Sequence, residues 1–180
     1  MTVLHRLRGL LNFAGLDAHR YRDLRYNLAR RLVLTLNTVG ASTVIDVGAH
    51  RGEFAASLLK AGFAGRIISF EPDQRSFPAL AARCARESRW SAVQLACSDE
   101  TGEVLLHLST NEVSSSLHPA NELHVSSAPS SVQVATQVIG AQRLDEWMLE
   151  SETNEPGSTF VKIDAQGSEL AVLDGLGETL

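Results

Sequence analysis

Residues 44–54 read V-I-D-V-G-A-H-R-G-E-F. The β-branched run T-V-I-D-V (43–47) closes on Gly48, and a second glycine, Gly52, opens the amphipathic stretch E-F-A-A-S-L-L-K-A-G (53–62). A short apolar run followed by a 3.6-residue period predicts strand, glycine turn and helix, with Gly62 as the helix stop. A glycine turn in that place lets backbone come close to a ligand and aims helix N–H groups at it. It is equally the bend of an ordinary βα unit. The dinucleotide fingerprint G-x-G-x-x-G is not met, because three residues separate Gly48 from Gly52.

Working outward, R-I-I-S-F-E (66–71) predicts a second strand. Ser76 is placed to cap a helix running to about Arg89, with Pro78 in its first turn, where proline is tolerated. A-V-Q-L-A-C (92–97) predicts a third strand. Strands alternating with helices imply a parallel sheet with right-handed crossovers. The pattern then changes. G-E-V-L-L-H-L (102–108) and S-V-Q-V-A-T-Q-V-I (131–139) read as antiparallel additions at the sheet edge or over it. Between them lies a Ser-, Asn- and His-rich stretch at 110–130, longer than structural loops usually are. R-L-D-E-W-M-L-E (143–150) is expected to be helical, T-F-V-K-I-D (159–164) a buried strand, and the chain from Ser168 a helix.

Upstream, residues 3–15 and 18–38 read as helices, the second with a stripe of Leu24, Leu28, Leu32 and Leu36, ended by Gly40. The expectation is α/β: a helical extension over 1–40 and a mostly parallel sheet flanked by helices over 41–180. The 159–164 strand reads as interior although only about one helix follows it. A fold cut short after its fourth parallel strand, or a partner or second copy covering that edge, would account for this.

The 180 residues, 44% hydrophobic and 21% charged, suit one globular domain with a core. No apolar stretch approaches a membrane span, and no secretory signal is read. The net charge of −5 argues against a nucleic-acid binder. In the first 31 residues, Arg6, Arg8, Arg20, Arg22, Arg25, Arg30 and Arg31 face only Asp17 and Asp23. That stretch reads as solvated helices, or as a contact surface. Cys84 and Cys97 lack metal-ligand spacing and suggest reduced thiols in a cytoplasmic protein.

Glu71 ends the second strand 19 residues after Gly52, where a carboxylate can accept from both hydroxyls of a ribose. Strand-D-x-G-x-x-x-G-helix-strand-E resembles the first two motifs of Rossmann-like methyltransferases that use S-adenosylmethionine. K-I-D-A-Q-G-S-E-L-A-V-L-D-G (162–175) then resembles the signature of the FkbM-type methyltransferases. So do S-F-E-P-D (69–73), A-C-S-D-E-T-G (96–102), N-E-V-S-S-S-L (111–117) and R-L-D-E-W (143–147), from about Ser42 to Leu180 and in order. Two positions depart from the family pattern: His50, where asparagine is common, and Gln166, where glutamate is.

The resemblance implies methyl transfer from S-adenosylmethionine to a hydroxyl, on a sugar or another small natural product. It implies cofactor contacts from Asp46, Gly48, His50, Gly52 and Phe54, with Glu71 on the ribose and Ser98 or Asp99 beside the adenine. S-D-E-T-G is also good turn chemistry in its own right. The reaction needs the donor methyl in line with the acceptor oxygen at about 3–3.5 Å, and a base for the acceptor proton. Asp164, at a strand end near the switch point, is the first candidate. Lys162 shares its strand face and can tune it or bind the acceptor, and Glu169 is the alternative base. Asp164 can instead hold the following glycine turn or cap the helix at Ser168.

No metal is expected. His107, His118 and His124 lack the spacing of a helical metal pair; His118 and His124 lie in the 110–130 stretch and read as exposed loop residues or acceptor contacts, and Ser114, Ser115 and Ser116 read likewise. The competing readings are a non-catalytic nucleoside-binding or scaffold relative and a nicotinamide-dependent oxidoreductase.

Overall fold

The computed structural model describes residues 27–109, 117, 133–151 and 158–177. In chain order these form α1 (Leu28–Thr38), β1 (Ala41–Val47), α2 (Glu53–Ala61), β2 (Arg66–Phe70), α3 (Phe77–Cys84), β3 (Trp90–Val93) and β4 (Ala96–Cys97). They continue with β5 (Gly102–Ser109), β6 (Gln133–Gln142), α4 (Leu144–Glu150), β7 (Ser158–Ile163) and α5 (Glu169–Asp174). The expected helix at 3–15, the start of the one at 18–38, and all of 110–132 except Leu117 lie outside the described residues.

Four strands make a parallel sheet in the order β3-β2-β1-β7, the α/β arrangement expected. Successive side chains of a strand point to opposite faces, and both faces of this sheet are covered. Val44 and Ile67 pack with Val33, Leu36, Leu58 and Leu80, under α1, α2 and α3. Ile45, Val47, Ile68 and Phe70 pack on the other face with Leu144 and Val172, from α4 and α5. The Trp147 ring meets Phe70 edge-on, with centroids 4.8 Å apart. α1 thus belongs to the core and does not stand apart from it. Its buried face is Val33 and Leu36, while Leu28 is exposed. A strict four-residue leucine spacing overshoots the 3.6-residue turn, so the stripe drifts off the core.

Three further elements differ from expectation. α3 ends at Cys84 and does not reach Arg89. The Arg89 guanidinium binds Glu87 and the Phe63 carbonyl, which turns the chain directly into β3. The expected strand 92–97 is two strands. β3 leaves the parallel sheet after Val93, whose carbonyl accepts from Glu71 N. The next residue of that neighbour is Pro72, which has no N–H to continue the ladder. Ala96 and Cys97 then pair with β6, which is antiparallel to β5, in a separate three-stranded sheet. The antiparallel additions therefore form a layer of their own. β7 was expected to be buried; it is half-buried and, among the described residues, an edge strand paired only with β1.

Candidate functional site

β1, β2 and β7 all point their C-terminal ends at one cleft. Its lining includes Gly48, His50, Phe70, Glu71, Asp73, Asp164 and Gln166, with Leu95, Ala96, Cys97, Leu106 and Leu117 on the side of the second sheet. The location follows from parallel topology, since crossovers leave the carboxyl ends of such strands open as a crevice.

Gly48 has φ +71°, and a Cβ there would lie 2.9 Å from the Asp164 carbonyl carbon and closer still to its oxygen. Only glycine lets β1 and the exit of β7 approach this closely. Four amides of the turn are spent within the chain. Gly48 N and Ala49 N donate to the Phe70 carbonyl at 3.1 and 3.0 Å. His50 N donates to Glu71 Oε2 at 2.6 Å, and Gly52 N to the Ala49 carbonyl at 2.8 Å. Gly52, at φ +83°, does not line the cleft. A Cβ there would meet the Trp90 ring at 2.6 Å and Leu80 at 2.9 Å, so this glycine seats α2 against β3 and α3.

Glu71 is buried and lines the cleft. Its Oε1 accepts from Asp73 N at 2.8 Å, so each oxygen holds one backbone amide, and the Ser76 side chain also hydrogen-bonds the carboxylate. Burial pushes its carboxyl above the ordinary value, and those two amides pull against that rise. Asp73, also buried in the wall, is gripped by the Arg75 guanidinium at 2.7 and 3.1 Å. Arg75 reaches on to the Ser109 carbonyl at 2.9 Å, tying the end of β5 to the cleft.

Asp46 lies beneath the turn, fully buried, between Ser69 and Lys162 in the sheet register. Lys162 Nζ is 2.9 Å from Asp46 Oδ1, and Ser69 Oγ, itself the acceptor for Trp90 Nε1 at 2.9 Å, is 3.4 Å from Oδ2. Burial pushes the Asp46 carboxyl upward, and the Lys162 ammonium holds part of that rise back. Phe54 sits off the cleft, its ring centroid 5.7 Å from Lys162 Nζ.

Asp164 is the exposed carboxylate at the cleft rim. Its Oδ2 is 3.8 Å from Lys162 Nζ, and its Oδ1 accepts from Gln166 Nε2 at 3.1 Å. Glu169 turns instead to its own loop. Its Oε1 accepts from Ala165 N at 3.0 Å and its Oε2 from Gly167 N at 3.0 Å. Burial pushes the Glu169 carboxyl up, but these backbone donors outweigh it and hold the group below its ordinary value. Ser98 and Asp99 bond to each other at 3.0 Å and do not line the cleft; Cys97 does. Burial pushes the Cys97 thiol up to about 12, so it presents a neutral, apolar surface. Among the described residues no group of His, Cys, Asp and Glu is arranged to hold a metal. Of the histidines and serines weighed above, His107 is partly buried on β5, and Ser114, Ser115, Ser116, His118 and His124 lie outside the described residues.

The family model described as Methyltransferase FkbM domain matches residues 46–180. The chain belongs to the FkbM methyltransferase domain family. Among solved structures it is similar to an O-methyltransferase from Bacillus cereus in complex with SAH, at 18% identity and TM-score 0.32, over 50% of this chain and 41% of that one. It is similar to a methyltransferase from Geobacter sulfurreducens, at 13% identity and TM-score 0.31, over 51% and 47%. It is similar also to the O-methyltransferase TomG from Streptomyces achromogenes, involved in tomaymycin synthesis and in complex with SAM, at 15% identity and TM-score 0.30, over 51% and 52%. The chain spans about half the length, or less, of these solved structures. No curated protein matches it.

Within this FkbM domain, sequence reasoning missed Asp73 and the apolar wall. The signal for Asp73 was present in E-P-D: two carboxylates flanking a proline at a strand end. For Leu106 and Leu117 no local signal exists, because the second sheet reaches the cleft only in three dimensions.

Proposed function

We propose that this FkbM domain binds S-adenosylmethionine in the cleft and transfers its methyl group to a hydroxyl of a sugar or another small molecule. The observation that carries the reading is the donor and charge inventory of the glycine turn. A pyrophosphate needs free N–H groups or cations, yet the amides of Gly48, Ala49, His50 and Gly52 are spent, and among the described residues no lysine or arginine lines the cleft. Its charged lining side chains are the acids Glu71, Asp73 and Asp164. Such a site disfavours a dinucleotide and suits a cationic sulfonium beside a neutral nucleoside.

The Glu71 carboxylate, which lines the cleft, suits ribose hydroxyls, and Leu95, Ala96, Cys97 and Leu106 suit a flat apolar base. The donor supplies an activated methyl group carried on positive sulfur. Asp164, exposed at the rim, takes the proton from the acceptor hydroxyl, while Glu169, spent on its own loop, does not. The second sheet and Leu117 shield the reacting oxygen from water.

Incubation with methyl-labelled S-adenosylmethionine and a panel of sugars and hydroxylated small molecules tests the reading. Label should pass to at least one acceptor, and Asp164→Asn should keep donor binding while losing transfer. Undiminished transfer by Asp164→Asn would sink the assignment of the base.

A further inference from the structure

An ammonium has three N–H donors, and that of Lys162 has three close acceptors in its own chain. They are Asp46 Oδ1 at 2.9 Å, the Gly48 carbonyl at 3.0 Å and the Val47 carbonyl at 3.1 Å. The Asp164 carboxylate, which a proton-carrying or acceptor-binding lysine would face, is farther away at 3.8 Å. On its other side the same turn gives the amides of Gly48 and Ala49 to Phe70 of β2, and that of His50 to Glu71. Val47–His50 is therefore clamped: amides to β2, carbonyls to β7. Lys162 comes from the strand paired with β1 on the side away from β2, so one side chain closes the clamp across the sheet.

We propose that Lys162 is a positioning residue: its ammonium, neutralised by Asp46, clasps the Val47 and Gly48 carbonyls and so sets the backbone that receives the methionine end of the methyl donor. Lys162 does not relay the acceptor proton, since its donors are committed. The clasp stands on the geometry alone; its consequence for the methionine end rests on the S-adenosylmethionine reading above.

The informative variant is the double one, Asp46→Asn with Lys162→Met. Removing Lys162 alone strands a buried carboxylate and endangers the fold, whereas removing both charges does not. Hydrogen–deuterium exchange should speed about tenfold or more at the amides of residues 48–50 and stay unchanged along β5 and β6. Affinity for S-adenosylhomocysteine should fall about tenfold or more, while 5′-methylthioadenosine, which shares the nucleoside and lacks the amino-acid end, should change by less than about threefold. Unchanged exchange at 48–50 overturns the clasp. Equal losses for both ligands overturn its link to the methionine end. If the unmodified protein binds neither ligand and exchange at 48–50 still rises in the double variant, the clasp stands and the donor reading falls.

Discussion

Replacing Gly48 by alanine tests how the cleft is built, and the chain carries its own control. Gly48 and Gly40 have nearly the same backbone angle, φ +71° and +70°. An alanine at Gly40 meets nothing within 4 Å, whereas one at Gly48 lies 2.9 Å from the Asp164 carbonyl carbon. Both substitutions incur the left-handed penalty of about 1–2 kcal/mol, and both gain similarly from a stiffer unfolded chain. The difference between them is the collision. Restoring an ordinary contact of about 3.5 Å parts the ends of β1 and β7 by at least about 0.6 Å, against the Asp164 N to Val47 carbonyl bond of 3.1 Å. Overpacking of that kind costs about 1–3 kcal/mol, a sizeable share of the roughly 5–15 kcal/mol holding a domain together. Urea unfolding of the two variants measures it. Gly48→Ala should be less stable than Gly40→Ala by about 1–3 kcal/mol, with weakened S-adenosylhomocysteine binding. Equal stability for the two would refute the close approach of β1 and β7.

Other outcomes follow from single groups. Because burial raises the Glu71 carboxyl, S-adenosylhomocysteine affinity should weaken on acidification while the pH is still above 4.5, and Glu71→Gln should flatten that profile; a profile that bends only below 4.5 contradicts the ribose role. The Glu169 carboxyl is held below 4.5, so its stabilising contribution is present above 4.5 and lost as pH falls through its lowered value. Urea unfolding of Glu169→Gln should show a loss on the order of 1 kcal/mol at neutral pH that fades in acid. Gly52→Ala should destabilise the fold through Trp90 and Leu80, with ligand affinity following stability; a ligand defect in a fully stable variant would place Gly52 in the site.

The parallel sheet was legible because glycine and period speak locally: T-V-I-D-V, Gly48, a helical repeat to Gly62, and R-I-I-S-F-E each carry their own signal. Glu71 was legible by its place at a strand end. The split of 92–97 was not, since an apolar run reads the same whether its partner is β2 or β6, and the switch depends on Pro72, just past the end of β2. Gly52 looked like a cofactor glycine because the sequence shows its freedom of φ but not Trp90 lying against it. Lys162 and Asp46 sit 116 residues apart, 162 less 46, so nothing local announces that β1 and β7 set them side by side.

The central claim is that the cleft, with four of its turn amides spent and acids in its wall, takes a sulfonium nucleoside and not a dinucleotide. Titration calorimetry of the folded, monodisperse chain with S-adenosylmethionine and, separately, with NAD tests it most directly. The account predicts saturable binding of S-adenosylmethionine and none of NAD at the same concentration. Binding of NAD alone, or of neither ligand, would contradict it.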